Sequence, residues 1–176
     1  MAKRHKTPEM PENEPQVPRI SVLIPTYNSQ QHITSTIRSV LAQDYPQERI
    51  EVIVVDDGSD DNTTQQAARF PRTKVIRQRN AGVAAARNTA IDHATGEWGA
   101  LLDSDDLWTP AKLRLQIEVA QADPEIGLVF SDAVSFGQSI DRHFDMCPPF
   151  LGIHRRKVAS DGYVLLNPLS TLYKSS

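Results

Sequence analysis

Five short apolar runs, separated by segments with helical periodicity, constrain what this chain can fold into. Ile20–Pro25 (ISVLIP), Glu51–Val55 (EVIVV), Lys74–Gln78 (KVIRQ), Glu97–Leu102 (EWGALL) and Ile126–Phe130 (IGLVF) have the length and composition of strands. Between the first two, Ile33, Ile37, Val40 and Leu41 fall at i, i+4, i+7 and i+8 of a helix. Val83, Ala86, Ala90 and Ile91 share a face of a second, and Ala111–Ala122 forms another before Pro124. Strands spaced by helices build βαβ units, hence a mainly parallel sheet covered by helices on both faces. The expected fold class is α/β.

Local signals refine the boundaries. Asn28 or Ser29 is placed to cap the first helix, Ser59, Asp60 or Asp61 the second, and Thr109 with Pro110 forms an N-cap and N1 pair for the helix that follows. Gly58 permits a tight turn, while Asn80 and Gly82 shape the turn that opens the Ala-rich helix. Residues 1–18 are basic, then Pro- and Glu-rich, and are expected to form a disordered leader ahead of a single domain at 19–176. Beyond Ser131 the periodicity is mixed, so an irregular surface segment with one or two short strands is expected. Isolated His143 and His154 read as surface residues, and His154–Lys157 as a solvated loop face.

Composition excludes several classes of function. A net charge of -3 gives no reason to expect a nucleic-acid partner. The single Cys147 rules out an intrachain disulfide and suits a reducing compartment, with the thiol inert. No stretch reaches the ~18 apolar residues of a membrane span. The expected location is cytoplasmic, at most peripheral at the inner face of the membrane.

In open α/β sheets, ligands bind outside the carboxyl ends of the strands. Three strands here end in polar clusters, PTYNS, DDGSDD and DSDD, which should crowd one edge. Carboxylates packed that closely repel one another and are costly to bury unless paired. A hard divalent cation, Mg²⁺ or Mn²⁺, held with an anionic ligand is the simplest remedy. In an extended segment Asp103 and Asp105 would point the same way, with the small Ser104 leaving room between them.

Residues 19 to about 133 resemble the nucleotide-sugar-binding half of family 2 inverting glycosyltransferases, which have the GT-A fold. The resemblance rests on three motifs in order: ISVLIPTYNS running into EVIVVDDGSDDNT, then RNAGVAAARNTAIDHATGEW, then ALLDSDDLW. It implies a nucleoside-diphosphate sugar donor, most simply a UDP-sugar, and a saccharide or lipid-linked acceptor. Pro25, Thr26 and Tyr27 would border the nucleoside, with Tyr27 offering its ring to the base; the alternative is an aromatic packed on the next helix. Asp57 would meet base or ribose, while Asp56 either joins it or stabilises the turn. Arg87 would face base carbonyl or phosphate, or else pair with a neighbouring aspartate. Asp105 would coordinate the metal, Asp103 would hold ribose or metal beside Ser104, and Asp106 would be structural.

Inverting transfer also requires a general base, which the family places in a Glu-Asp pair on a helix beyond the acceptor region. The acidic residues after Asp106 are Glu118, Asp123, Glu125, Asp132, Asp141, Asp145 and Asp161. None has that context, although Asp132 follows the fifth strand. NPLSTLYKSS resembles the strand just before the missing segment, so the chain is expected to be incomplete at its C-terminus, with its catalytic residue unassigned. A non-catalytic nucleotide-sugar-binding module would share the same donor site. A phosphoryl-transfer domain with an acidic pocket would want an aspartate after the first strand, where PTYN stands.

Overall fold

Strand and helix alternate as the apolar pattern requires, and the chain reverses direction across its sheet beside its first strand. The computed structural model describes residues 17–131 with 133–134, 143–144, 153–156 and 172–174. The elements run β1 (Ile20–Thr26), α1 (Ile33–Leu41), β2 (Ile50–Asp56), α2 (Thr63–Ala67), β3 (Thr73–Arg77), α3 (Val83–Asp92), β4 (Trp98–Leu101), α4 (Lys112–Gln121) and β5 (Leu128–Ser131). Short strands β6 (Ala133–Val134), β7 (His143–Phe144), β8 (Ile153–Arg156) and β9 (Leu172–Lys174) follow. His154–Arg156, expected as loop, are therefore strand. Cys147, Lys157 and the leader up to residue 16 lie outside the described residues.

The main sheet has the order β3-β2-β1-β4-β9-β5-β8. β1 pairs in parallel with β2 and β4, and β2 with β3. On the other side, β9 is antiparallel to both β4 and β5, and β8 is antiparallel to β5. The sheet is mainly parallel, as expected, but β5 does not sit beside β4. β9 separates them, because Leu172 is fully buried between Ala100 and Val129 and Gly99 leaves space for the Tyr173 ring. A Cβ at Gly99 would stand 2.2 Å from Tyr173 Cζ.

Alternation along β1 and β2 explains why both faces are covered. Ile20, Val22, Ile24, Val52 and Val54 face one core with Ile33 and Ile37 of α1, Ala67 of α2, and Leu113 and Ile117 of α4. Leu23, Ile53 and Val55 face the other, against Ala86 and Ala90 of α3. A strand buried on both faces must be apolar nearly throughout, and ISVLIP and EVIVV supply this at every buried position but one. The polar exception, Ser21, is buried but bonded: its hydroxyl donates to Glu51 at 2.6 Å and accepts from the Gly96 N–H at 2.8 Å.

The capping expectations fail in a consistent direction. The side chains of Asn28, Ser29, Thr109 and Pro110 cap no helix; α1 starts after His32 and α4 after Ala111, neither with a side-chain cap. Asn28 instead takes a positive φ of 49°, and its Oδ1 accepts from the Asp60 N–H. At α2, Asp61 Oδ1 accepts from the Thr63 N–H at 2.9 Å, one residue earlier than the Asn62 cap position, while Oδ2 accepts from Gln30. These side chains join neighbouring loops, so long-range bonding takes precedence over local capping. Packing begins slightly before the expected boundary, with Pro18 already buried and its carbonyl accepting from the Tyr45 hydroxyl at 2.6 Å.

Candidate active site

The chain leaves β1 for β2 and β3 on one side and returns to β4 on the other. The carboxyl ends of β1 and β4 therefore flank the topological switch point, where α/β sheets bind ligands. A cleft of about 350 Å³ opens there. Its walls come from Pro25, Thr26 and Tyr27 at the end of β1, Asp57 after β2, Val83, Ala86 and Arg87 on α3, and Asp103, Ser104 and Asp105 after β4. All nucleotide and metal candidates read from the sequence line this cleft except Asp56.

Asp56 stands behind the wall with 0% exposure. Its carboxylate accepts from the Ser59 N–H at 2.9 Å and from the Ser59 and Thr64 hydroxyls, so it organises the turn rather than facing the cleft. Asp57 is different. Its Oδ1 accepts from Gln78 Nε2 at 2.7 Å and the Ala81 N–H at 3.0 Å, and its Oδ2 from the Gly82 N–H at 2.8 Å. Burial works against its charge, but these three donors outweigh burial and hold the carboxyl below the usual carboxylate range. It thereby fixes the loop before α3, where Gly82 takes a φ of 89°.

Tyr27 is 49% exposed at the cleft mouth, so the packed-aromatic alternative does not hold. The ion-pair alternative for Arg87 does: its Nη2 donates to Asp103 Oδ1 at 2.8 Å. Arg87 nevertheless lines the cleft, and its buried Nε has no hydrogen-bond partner among the described residues. The Thr26 hydroxyl, also on the wall, is in the same state. Buried polar groups are rarely left unbonded, and this wall carries two that have no partner among the described residues.

Asp103–Asp106 is a turn, not the extended segment expected, closed by the Asp106 N–H donating to the Asp103 carbonyl at 3.1 Å. Asp103 and Asp105 still reach the same cleft. Asp105 is exposed and makes no hydrogen bond or ion pair among the described residues. The half-buried Asp106 carboxyl is pushed up to about 6 by burial and by the charges of Asp105 and Asp103. The donor set is all oxygen, with negative charge in excess of the one arginine, and this suits a hard cation. No three His, Cys, Asp or Glu side chains that could hold a metal ion converge among the described residues; Asp103 and Asp105 are the cleft carboxylates nearest that role.

A hydrogen-bond ladder from α1 holds this turn, and sequence reasoning missed it. The Thr36 hydroxyl donates to the Ser104 carbonyl at 2.8 Å, and the Ser29 and Ser104 hydroxyls lie 2.7 Å apart. The Ser39 hydroxyl accepts from the Trp108 N–H at 3.2 Å. Gln43 donates to the Thr109 carbonyl at 2.8 Å and accepts from the Leu113 N–H at 3.0 Å. Thr36, Ser39 and Gln43 fall at i, i+3 and i+7, a polar stripe beside the apolar one that could have been read from the sequence. Thr36→Val keeps the shape but leaves the Ser104 carbonyl bare. We expect a stability loss of about 1–2 kcal/mol in urea unfolding.

A mainly parallel sheet with a carboxylate-lined cleft at its switch point defines the class: a GT-A, Rossmann-like domain. The sequence profile of glycosyl transferase family 2 matches residues 21–162, and the chain belongs to that family. The Escherichia coli UDP-Glc:alpha-D-GlcNAc-diphosphoundecaprenol beta-1,3-glucosyltransferase WfgD is 42% identical over 103 residues, 57% of this chain and 40% of its own length. Among solved structures, the mannosyltransferase PcManGT from Pyrobaculum calidifontis, in complex with GDP-Man and Mn²⁺, superposes with a TM-score of 0.63 at 33% identity, covering 69% of this chain and 37% of that one. S. aureus TarS 1-349 in complex with UDP-GlcNAc gives 0.60 at 32% identity, covering 70% and 37%. The chain spans 35 to 41% of the length of the first curated relatives it matches.

Of the acidic residues considered as bases, Glu118 is exposed and paired with Arg114, while Asp123 and Glu125 lie at the far end of α4. Asp132, Asp141, Asp145 and Asp161 fall outside the described residues.

Proposed function

We propose that the cleft binds a nucleoside-diphosphate sugar, a UDP-sugar in the first instance, and that the protein transfers the sugar with inversion to a hydroxyl of a saccharide or lipid-linked acceptor. The observation that carries this reading is the convergence of Tyr27, Asp57, Arg87, Asp103 and Asp105 on one cleft at the switch point. Tyr27 supplies a ring for the base, since stacking of this kind is worth about 1–3 kcal/mol. Asp57 presents a fixed carboxylate to the N–H of the base or to a ribose hydroxyl. Arg87, already ordered by Asp103, lines the cleft with a guanidinium suited to the donor's oxygens.

Asp103 and Asp105 are the residues that would hold Mn²⁺ or Mg²⁺. When bound, such a cation stabilises negative charge on the leaving diphosphate. The family's transfer chemistry and the complexes of its members with GDP-Man and UDP-GlcNAc support the donor class. The lipid-linked acceptor is supported by the name of the Escherichia coli relative. Attack at the anomeric carbon requires the acceptor hydroxyl to lose its proton, and we assign that step to no described residue. No helix among the described residues is long and apolar enough to cross a membrane; the lipid-linked substrate named for the Escherichia coli relative supports a cytoplasmic place, peripheral at the inner membrane face.

Thermal unfolding with UDP, GDP and uridine, each with and without Mn²⁺, tests the donor site. Ligand at about a hundred times its Kd stabilises the native state by roughly 2.7 kcal/mol. We expect UDP with Mn²⁺ to raise Tm most, UDP alone modestly and uridine least. No shift with either nucleoside diphosphate, with or without Mn²⁺, would remove the reading.

A further inference from the structure

Charge is distributed unevenly along this chain. Residues 62–91 contain Arg69, Arg72, Lys74, Arg77, Arg79 and Arg87 and no acidic residue, a segment at +6 in a chain whose net charge is -3, so the remainder stands at -9. The first five of these are exposed and follow the outer edge of the sheet. Arg69 and Arg72 lie ahead of β3, Lys74 and Arg77 lie on it, and Arg79 lies just past its end. β3 itself spans about 13 Å at 3.3 Å per residue. Arg77 is held within the fold, donating to the Ser59 carbonyl at 2.8 Å. Arg69, Arg72, Lys74 and Arg79 make no ion pair or side-chain hydrogen bond among the described residues.

The neighbouring helix completes the surface. On α3, Val83 is 54% exposed and Ile91 43%, and Ala84 and Asn88 are exposed between them. This solvent face carries no charge over most of its length, ending at Asp92, which is unusual for a surface helix. It begins at the cleft, because Val83 also lines the cleft wall.

We propose that the β3 edge and the outer face of α3 form one docking surface for an anionic lipid bilayer. Basic side chains would meet the lipid phosphates while the uncharged helix face settles at the headgroup level. The two halves of the charge distribution then act together: the +6 segment is attracted and the remainder repelled, which selects one orientation. In that orientation the cleft, which Val83 lines, opens at the bilayer surface, where a lipid-linked acceptor would carry its reactive end. A nucleic acid fits this surface less well, because the basic edge itself carries no exposed aromatic ring for base stacking: Phe70 is only partly exposed, and the exposed Tyr27 ring lies in the cleft. The choice of a bilayer rests on the lipid-linked acceptor of the proposed function, whereas the charge pattern stands without it.

Co-sedimentation of the 176-residue chain with vesicles tests the proposal, using phosphatidylcholine alone and phosphatidylcholine with phosphatidylglycerol. We expect binding to the anionic vesicles alone at physiological ionic strength, and its loss at about 1 M salt. The combined variant Arg69→Gln, Arg72→Gln, Lys74→Gln, Arg79→Gln should reduce partitioning at least tenfold. Arg69→Lys, Arg72→Lys, Arg79→Lys should retain it, and both variants should bind UDP like the parent. Equal binding to neutral vesicles, or undiminished binding by the Gln variant, would overturn the proposal. Retention on RNA without vesicle binding would also overturn it, in favour of a soluble polyanion. If vesicle binding behaves as expected while UDP binding fails in every form, the docking surface stands and the donor-site reading falls.

Discussion

Asp105→Ala is expected to reduce UDP affinity in Mn²⁺ by ten- to a hundredfold while leaving uridine affinity within a factor of two. Even groups that only support a metal ligand cost about 10–100-fold in metal affinity when removed. Asp105 is the cleft carboxylate that nothing else occupies, being exposed and without a hydrogen bond or ion pair among the described residues. Removing it should also cost no stability, and relieving the repulsion with Asp106 should raise Tm slightly. Calorimetry with uridine, UMP and UDP, with and without Mn²⁺, reads the effect. The discrimination should be largest for UDP, whose two phosphates share the cation. Equal losses for all three ligands would mean that Asp105 serves the nucleoside, and no loss would mean that the cation sits elsewhere.

The sequence made the left half of this architecture legible for a physical reason. β1 and β2 are buried on both faces, so they must be written as largely apolar runs, and they are followed by turns in which Asn28 and Gly58 take a positive φ. The right half is written in long-range terms. Leu172–Lys174 forms the strand expected in NPLSTLYKSS, but nothing local indicates that it inserts between β4 and β5. The same limit holds within the site. DD at positions 56 and 57 gives no indication of which carboxylate faces the cleft, because successive side chains point to opposite sides and the turn beyond decides the rest. An extended segment would put Asp103 and Asp105 on one side, yet they meet the cleft from a turn held by Thr36 and Ser29. The candidate residues are legible from chemistry and order; the scaffolding that aims them is not.

Asp57→Ala is the complementary case, with losses in stability and in binding of every nucleotide form. Asp57 is nearly fully buried and holds Gln78, Ala81 and Gly82 at once, fixing the loop that launches α3 and therefore Arg87. Leaving those donors to find water should cost about 1–3 kcal/mol. For a domain of this size that lowers Tm by roughly 2–10 °C. Uridine and UDP should both bind at least tenfold more weakly, since the base pocket itself shifts, in contrast to the selective loss at Asp105. The stability difference must also depend on pH. The folded-state pKa of Asp57 lies below its unfolded value of about 3.9, so its contribution is complete above that value and is lost as pH falls through the folded one. Glu51 and Asp61 are depressed in the same way. Burial opposes the charge of each, but Ser21, Thr95 and Arg19 outweigh it at Glu51, and Thr63 and Gln30 at Asp61, so all three groups feed one acid limb. Subtracting the Asp57→Ala stability curve from that of the parent isolates the share of Asp57. That difference should be flat above about pH 5 and shrink toward pH 3; a difference independent of pH would mean that the carboxylate charge plays no part in holding the loop.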